Sequence, residues 1–233
     1  MPDTAPTVLL TRPEAQSQRF AKDLRDARVV ISPILKVQYL DLAVDPRKYD
    51  RLIFTSENGL RAAASATDLR GMQGYAVGER TAEVGAKLGL DLRAAKGNAD
   101  DLVSLILQDR PKGKLLHLHG VNSRGEIAKR LKGAGIDTVS TIIYDQIEMP
   151  LSEEALALLG TDRTVVLPVF SPRSAALLGR ICRDARARLV LIGMSQAVLD
   201  SWTGPEPVQQ IALATPSASA MRQEILRHTS RAP

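Results

Sequence analysis

The sequence has very few residues of the kinds that mark the more specialised classes of protein. A single cysteine, Cys182, among 233 residues excludes a disulfide framework and a cysteine-based zinc site, and it fits a reducing compartment. No apolar run approaches the ~20 residues that a membrane-spanning helix needs. The first ten residues lack the basic segment and long apolar segment of a secretory signal. These absences predict a cytoplasmic protein that does not associate with a membrane.

Aromatic residues and clusters of one charge are also scarce. Phe, Trp and Tyr together make up only 3% of the chain, which leaves few stacking platforms for single-stranded nucleic acid. The net charge of +5 comes from 31 basic and 26 acidic residues that are interleaved along the sequence. We therefore expect no nucleic-acid partner, and we interpret the basic excess as a solvated surface or a site for a small anion.

The motifs that hold common cofactors are missing too. Neither the phosphate-binding P-loop nor the Gly-x-Gly-x-x-Gly turn occurs in the sequence. His117 and His119 lie on one face of a predicted strand, but a metal site needs a third ligand and the remaining histidine is the distant His228. We therefore expect no cofactor and no metal, and interpret the pair as a packed strand end. Cys182 lies among arginines that could lower its pKa, although a buried structural thiol is the simpler interpretation.

Short apolar runs alternate with amphipathic helical stretches along the whole chain. The apolar run Val8–Thr11 precedes a helical pattern over Glu14–Arg25, and Arg51–Thr55 precedes another over Gly59–Ala66. Apolar strands separated by helices of about 10–15 residues are typical of parallel α/β layers. The predicted fold class is therefore α/β.

Two pairs of similar segments indicate that the chain contains two similar lobes. The segment Val77–Ala82 resembles Ile192–Ala197. One strand earlier, Ile53–Asn58 resembles Val169–Ser174 at nearly the same offset. Two adjacent motifs that recur together predict two related α/β lobes rather than one large sheet.

The number of strands available to each lobe predicts where the lobes begin and end. Residues 41–142 contain enough strands for one lobe. The strands after residue 150 are too few for the other lobe, so those of residues 1–36 must complete it, and it is discontinuous over 1–36 and 150–233. The chain would then cross between the lobes at 37–40 and 143–149. A groove beside such a hinge is the expected ligand site.

The predicted turns from strand to helix share Gly, Ser or Thr where the helix begins. Any one of them alone is an ordinary helix N-cap. Taken together they lie at the carboxyl ends of parallel strands, where free backbone N–H groups and helix dipoles attract carboxylates or phosphates. The chemistry predicted is anion recognition, for which the candidate charge partners are Arg12, Arg80, Arg124 and Arg173.

Several short motifs follow one another in a definite order over residues 8–226. They are Leu10–Pro13, Ile53–Ser56, Val77–Ala82, Gly120 with Arg124, Tyr144, Phe170–Pro172 and Ile192–Gly193. In order and spacing this series resembles the uroporphyrinogen-III synthase family. The resemblance implies two flavodoxin-like lobes of parallel sheet joined by a two-stranded linker. It also implies a monomeric enzyme that closes the linear octacarboxylate hydroxymethylbilane to uroporphyrinogen III, with loss of water, inversion of the last pyrrole ring and no cofactor.

The resemblance also implies which residues form the site. Tyr144 would donate a proton to the leaving hydroxyl group, as a phenol near that oxygen is able to do. The residues that would bind the substrate carboxylates, from the resemblance and the turns together, are Arg12, Thr55, Ser56, Gly78, Thr81, Arg124, Ser171, Gly193 and Ser195. Without the resemblance, Tyr144 would be interpreted as a linker-strand residue.

The chain departs from the family pattern in its second lobe copy. Gln196 stands where the family has threonine in Gly-x-x-Thr-Ala, so the contact expected there is in doubt, and Ser195 is the residue that could replace it. A two-lobed module that binds a small anion without catalysis is the alternative function, because it would use the same hinge and turns.

Overall fold

Strands and helices alternate in the computed structural model, which describes residues 5–25, 27–123 and 125–229. The strands are β1 (Thr7–Leu10), β2 (Arg28–Ile31), β3 (Leu35–Tyr39), β4 (Arg51–Phe54), β5 (Gln73–Ala76), β6 (Asp91–Ala94), β7 (Leu115–Gly120), β8 (Thr138–Glu148), β9 (Thr164–Val169), β10 (Arg188–Gly193) and β11 (Gln209–Ala212). The helices are α1 (Glu14–Ala21), α2 (Glu57–Ala66), α3 (Glu79–Lys87), α4 (Ala99–Asp109), α5 (Ile127–Gly133), α6 (Glu153–Leu159), α7 (Pro172–Ile181), α8 (Gln196–Leu199) and α9 (Ala218–Thr229), with a short 3-10 turn at Pro46–Lys48.

Side-chain caps fix the starts of several helices. In each case the side-chain oxygen of the residue before the helix accepts a hydrogen bond from the backbone N–H three residues later. These caps are Ser56 for α2, Asn98 for α4, Ser152 for α6 and Ser171 for α7. Such a cap stabilises a helix by about 1 kcal/mol, so the polar residues in these turns have a structural role as well as any functional one.

The chain divides into two compact units. The first unit contains the described residues up to Lys36 and from Glu148 onward, and the second unit contains Val37–Ile147. The chain passes between them in β3 and β8, which are neighbours in one sheet. The N–H of Leu40 donates to Ile143, and the N–H of Met149 donates to Ile34, so these two segments run in opposite directions.

The first unit is built on a five-stranded sheet with the order β11-β10-β9-β1-β2. Its strands pair in parallel throughout. Numbered along the chain, the order is 2-1-3-4-5, which is the flavodoxin-like arrangement. The predicted α/β class with parallel sheets is therefore confirmed.

The second unit has a different strand order. Its sheet runs β3-β8-β7-β4-β5-β6, and the pairs from β4 to β8 are parallel. When β4 to β8 are numbered 1 to 5, their order read from β6 is 3-2-1-4-5. This is the order of a Rossmann-type sheet rather than a flavodoxin-like one. In both orders there is one pair of neighbouring strands after which the chain turns to opposite sides of the sheet. A crevice remains at the carboxyl ends of these two strands. We call this place the switch point: it lies between β1 and β9 in the first unit, and between β4 and β7 in the second.

Each sheet is covered by apolar side chains on both of its faces. In β9, Val165 and Leu167 pack in one cluster with helices α6 and α7, while Val166 between them packs in another with α9. In β4, Leu52 and Phe54 face one cluster and Ile53 faces the opposite one. Successive side chains of a strand point to opposite faces, so continuous apolar runs are what a sheet buried on both sides requires.

Gly74 gives a test of how closely the strands of the second unit pack. It is paired with Leu52 of β4, and a Cβ atom at Gly74 would overlap the carbonyl oxygen of Leu52. Because that obstacle is backbone in the sheet interior, we expect Gly74→Ala to lower the free energy of unfolding by about 2–3 kcal/mol. Urea unfolding followed by circular dichroism measures this change.

Gly133 is the matched control for this substitution. It ends α5, and a Cβ atom there would have no neighbour within 4 Å. We expect Gly133→Ala to leave the stability unchanged or to raise it by up to about 1 kcal/mol. Equal effects of the two alanine substitutions would contradict the close approach of β4 and β5.

Candidate functional site

Tyr144 and Ser56 form a hydrogen bond at the switch point of the second unit. The hydroxyl oxygen of Tyr144, in β8, lies 3.0 Å from Oγ of Ser56, which follows β4. Ser56 Oγ also accepts a hydrogen bond of 3.1 Å from the N–H of Gly59 as the cap of α2. The Tyr144 side chain is half-buried. The phenol is therefore held by a fixed oxygen while it keeps some contact with solvent.

Gly120 makes room for the ring of Tyr144. The two residues are paired in the β7–β8 ladder, at a point where its register shifts. A Cβ atom at Gly120 would lie 2.5 Å from Cζ of Tyr144 and 2.9 Å from its hydroxyl oxygen. Cβ atoms do not approach other atoms so closely. The absence of a side chain at Gly120 is therefore what allows the ring to cross β7 and reach Ser56.

A second polar contact connects Thr55, the residue after β4, with His117 of β7. Oγ1 of Thr55 lies 3.5 Å from Nε2 of His117, at the outer limit of a hydrogen bond. The His117 ring is only 2% exposed and lies against the His119 ring, with 4.6 Å between centroids. Burial, and then the neighbouring His119, lower the pKa of His117 to about 3. His117 is therefore neutral at physiological pH.

The turn at Gly78 offers backbone groups rather than side chains. Gly78 precedes α3 and provides no side-chain cap for it, and its carbonyl accepts hydrogen bonds from Thr81 and Ala82. Thr81 is only 5% exposed, so its hydroxyl group is almost completely enclosed. The first N–H groups of α3 are donors that a side-chain cap would otherwise occupy.

The charges next to the second-unit switch point are paired. Glu57, the first residue of α2, lies 2.8 Å from Arg61 and 3.5 Å from Arg80. Arg80 also lies 3.4 Å from Glu83. A carboxylate in the first turn favours the helix but repels an anion, and the two arginines offset that repulsion.

Arg12 and Ser171 lie beside the switch point of the first unit. The Arg12 guanidinium carbon lies 4.2 Å from the centre of the Phe170 ring, and Phe20 meets that ring edge-on at 5.6 Å. Ser171 accepts the N–H of Ser174 as the cap of α7, and its own hydroxyl donates to Ser174 Oγ at 2.9 Å. A cation held over an aromatic face has a restricted position.

The turn with the altered motif has a structure unlike its counterpart at Gly78. Gly193 is buried, and a Cβ atom there would lie 2.7 Å from a methyl group of Leu199. Helix α8 starts at Gln196, and its N-cap Ser195 makes no capping hydrogen bond through its side chain. The exposed Gln196 donates from Nε2 to Asp200 at 2.8 Å. Gln196 therefore lies on a helix surface rather than in the enclosed position of Thr81.

Arg124, expected to bind a carboxylate, lies outside the described residues. Cys182 is buried, and burial raises the pKa of its thiol to about 12, which favours the structural interpretation over the reactive one.

In the part of the chain that the structure describes, no group of three or more His, Cys, Asp or Glu residues is placed to hold a metal ion. A search of the described helices finds none long and apolar enough to cross a membrane.

Two side chains at the switch points were not predicted as functional from the sequence. His117 interrupts an otherwise apolar run in β7, and this polar residue within a buried strand is a signal that could have identified it. Its partner Thr55 is 62 residues away, so the contact itself has no local signal. Phe170 belongs to a family-like motif, but its place beneath Arg12 depends on the pairing of β1 with β9.

A protein-family model matches most of the chain. The model for uroporphyrinogen-III synthase HemD matches residues 18–199, which is more than three quarters of the chain. That range contains the candidate residues from Thr55 to Ser195, whereas Arg12 precedes it. No curated protein sequence matches the chain.

Solved structures with the same fold include two proteins of that name. A uroporphyrinogen-III synthetase from Helicobacter pylori aligns with a TM-score of 0.70 and 17% identity, over 96% of this chain and 99% of that one. A mutant uroporphyrinogen III synthase from Thermus thermophilus aligns with a TM-score of 0.54 and 16% identity, over 96% and 98%. At such low identity these likenesses show the fold.

The lowered pKa of His117 predicts how stability changes with pH. Its pKa is about 3 in the native protein and near 6.5 in an unfolded chain, so only the unfolded chain takes up the proton between these values. The contribution of neutral His117 is complete above about pH 6.5 and is lost as the pH falls toward about 3. When the pH is lowered from about 7.5 to about 4.5, we expect the free energy of unfolding to fall by roughly 2 kcal/mol more in the wild type than in His117→Gln. Urea unfolding at each pH measures this difference.

Leu116→Ala is the control for this measurement. Leu116 is a buried neighbour of His117 in β7, and its truncation lowers stability by about 2–5 kcal/mol without removing a titratable group. The difference between this variant and the wild type is therefore expected to stay constant with pH. A pH dependence in His117→Gln equal to that of the wild type would contradict the buried neutral state of His117.

Proposed function

The chain belongs to the uroporphyrinogen-III synthase family, and we propose that Tyr144 is the proton donor in its reaction. This lyase reaction of tetrapyrrole biosynthesis closes hydroxymethylbilane to uroporphyrinogen III with loss of water. The observation that carries the proposal is the 3.0 Å contact between the Tyr144 hydroxyl and Ser56 at the switch point of a parallel sheet. A phenol held there is half-buried and positioned by a hydrogen bond, as a group that must meet a bound substrate needs to be.

The hydrogen bonds around Ser56 leave the phenolic proton available. Ser56 Oγ accepts the N–H of Gly59, and its own hydrogen is free to point toward the Tyr144 oxygen. With the hydrogens arranged in this way, the Tyr144 O–H group donates to the hydroxyl oxygen of the substrate. The same bond from Ser56 stabilises the phenolate that remains after the proton has left.

The first chemical step follows from this arrangement. As the Tyr144 proton reaches the substrate hydroxyl, the C–O bond breaks with its electron pair going to oxygen, and water leaves. The electron pair of the pyrrole nitrogen forms the azafulvene double bond and leaves an electrophilic carbon. For the last pyrrole ring to be inverted, this carbon first bonds to the substituted α-carbon of that ring, and the existing C–C bond from the same α-carbon to the bridging methylene then breaks, which makes that methylene the new electrophile. The methylene bonds to the other α-carbon of the last ring, and the proton released there returns to the phenolate. The overall change is the loss of one water, with no oxidation or reduction.

The substrate carboxylates are bound by the turns at the strand ends. In the second unit the proposed donors are the hydroxyl group of Thr55 and the first backbone N–H groups of α3, which follow Gly78. Ser56 contributes indirectly, because its one hydroxyl hydrogen is directed to Tyr144. Thr81 contributes by keeping this turn closed through its N–H bond to Gly78, because its hydroxyl is enclosed. Arg124 remains a proposed partner from the family resemblance alone.

In the first unit, Arg12 is the proposed charge partner for a carboxylate. The ring of Phe170 limits the positions of its guanidinium group. Ser195 is the proposed hydroxyl donor, since it is half-buried at a strand-to-helix turn and makes no capping hydrogen bond. Ser171 is proposed to hold the neighbouring turn in place, because its hydroxyl hydrogen is donated to Ser174. Gly193 is proposed to contribute only through its small size, because a side chain there would collide with Leu199.

The alternative of a binding module without catalysis is not favoured, because the family is one of enzymes. A monomer acting in the cytoplasm is the proposed state of the protein. The single buried cysteine supports the reducing compartment.

Tyr144→Phe tests the role of the phenol. We expect it to lower kcat for formation of the type III isomer by at least about 100-fold, the usual size of a general-acid contribution. Hydroxymethylbilane is generated in situ by a coupled reaction, and the uroporphyrin isomers are separated after oxidation. The bilane closes spontaneously to the type I isomer, so the ratio of the two isomers reports the activity.

Two further variants test whether the effect is specific to the Tyr144 hydroxyl and whether the position of its ring matters. Tyr39→Phe removes a hydroxyl from a tyrosine of β3 that is 46% exposed, and it should keep wild-type activity. Gly120→Ala keeps the phenol but fills the space that its ring occupies, so it should lose activity to a similar degree as Tyr144→Phe. Full activity in Tyr144→Phe would exclude the proposed donor, and type I product alone from folded wild type would exclude the enzyme function.

A further inference from the structure

His117 is a buried polar residue whose neighbours along and across the strands are largely apolar. It is paired with Ile53 of β4, and Ile53 and Leu115 on the same face are completely buried. Burying an imidazole costs free energy unless a hydrogen bond compensates. The only side chain with which His117 hydrogen-bonds in the described structure is Thr55, through Nε2 at 3.5 Å. Packing alone would favour an aliphatic residue at this position.

We propose that His117 is a positioning residue, which donates a hydrogen bond from Nε2 to Thr55 so that the Thr55 hydroxyl points its hydrogen at a carboxylate of the substrate. This inference rests on the proposed role of Thr55 in binding hydroxymethylbilane. It adds a residue that does not itself touch the substrate. It also assigns a definite tautomer to the imidazole.

The choice of tautomer follows from counting hydrogens. A carboxylate only accepts hydrogen bonds, so Thr55 must use its one hydroxyl hydrogen to bind it. If Nε2 of His117 accepted that hydrogen instead, Thr55 would present only lone pairs to an anion. A neutral imidazole carries one hydrogen, and with it on Nε2 the Thr55 oxygen becomes the acceptor of the histidine and the donor to the substrate.

The neighbouring histidine fits this arrangement. Nδ1 of His119 lies 2.8 Å from the carbonyl oxygen of Gly120, which only accepts, so in neutral His119 the hydrogen is on Nδ1. The two rings lie against each other, and two adjacent positive charges in a buried place would repel each other. The Nδ1 hydrogen of His119 is therefore committed to the backbone, and the hydrogen of neutral His117 is available to Thr55.

Three substitutions of His117 distinguish positioning from packing. The side-chain amide of Gln places an N–H group close to the place of Nε2, whereas that of Asn places it close to Nδ1, and Leu has no donor. We expect His117→Gln to keep KM for hydroxymethylbilane within about twofold of the wild type. We expect His117→Asn and His117→Leu to raise KM about tenfold or more with little change in kcat, as for a weakened bond to a charged group.

A double substitution tests whether His117 acts through Thr55. Thr55→Val removes the hydroxyl at nearly constant volume, and it should raise KM by a similar factor. The effect of His117→Leu should then disappear in the Thr55→Val background. His228→Leu, which removes an imidazole from α9 in the other unit, is the matched control and should leave KM unchanged. Independent effects of the two substitutions, or equal effects of Gln and Leu, would overturn the proposal.

The tautomer is measured without any activity. Nitrogen NMR of the imidazole in the free wild-type protein, assigned with His117→Gln, reports which ring nitrogen carries the hydrogen. Hydrogen on Nε2 is expected, and hydrogen on Nδ1 would overturn the proposal even if the enzyme is fully active. If folded wild type gives only the type I isomer, the proposed function fails, and the NMR result still decides the His117–Thr55 bond separately.

Discussion

The candidate site depends on one close approach, that of the Tyr144 ring to the backbone of Gly120. Neighbouring strands of a sheet lie about 4.8 Å apart, so a ring from β8 can cross β7 only where β7 has no side chain. The shift of register at this point lets the ring do so and brings its hydroxyl to Ser56. The phenol, the cap of α2 and the β4–β7 crevice are joined in one place because of that missing side chain.

Parallel strands account for the kind of ligand that such a place favours. All the strands of a parallel sheet end at the same edge, and the helices that follow present unpaired N–H groups there. In the second unit Gly78 leaves these donors without a side-chain cap, while Glu57 is offset by Arg61 and Arg80. In the first unit the proposed anion partner is the Arg12 guanidinium group, which lies over the Phe170 ring. Backbone donors and a restricted cation are different physical solutions to the binding of carboxylates.

The sequence predicts the local features of this structure better than the long-range ones. Alternating apolar strands and amphipathic helices are local patterns, and the α/β class that they predict is confirmed. The strand order of the second unit depends on which strands pair across long loops, and no periodicity specifies it. For the same reason the motifs identify Ser56 and Tyr144 singly, but not the contact between residues 88 positions apart. The sequence around Cys182 allows a reactive or a structural thiol, and its burial in the fold favours the structural one.

The Gly-x-x-Thr motif of the second unit and its Gly-x-x-Gln counterpart in the first unit show why similar sequences do not give similar sites. In the second unit α3 begins directly after Gly78, which places Thr81 in the third helical position and encloses it. In the first unit the helix begins two residues later relative to the glycine, after Ser195, so Gln196 is its first residue and faces outward to Asp200. A longer side chain is tolerated there because the position is exposed. The position of Gln196 at the exposed start of α8 thus differs from that of the enclosed Thr81, and the turn of the second unit does not depend on it.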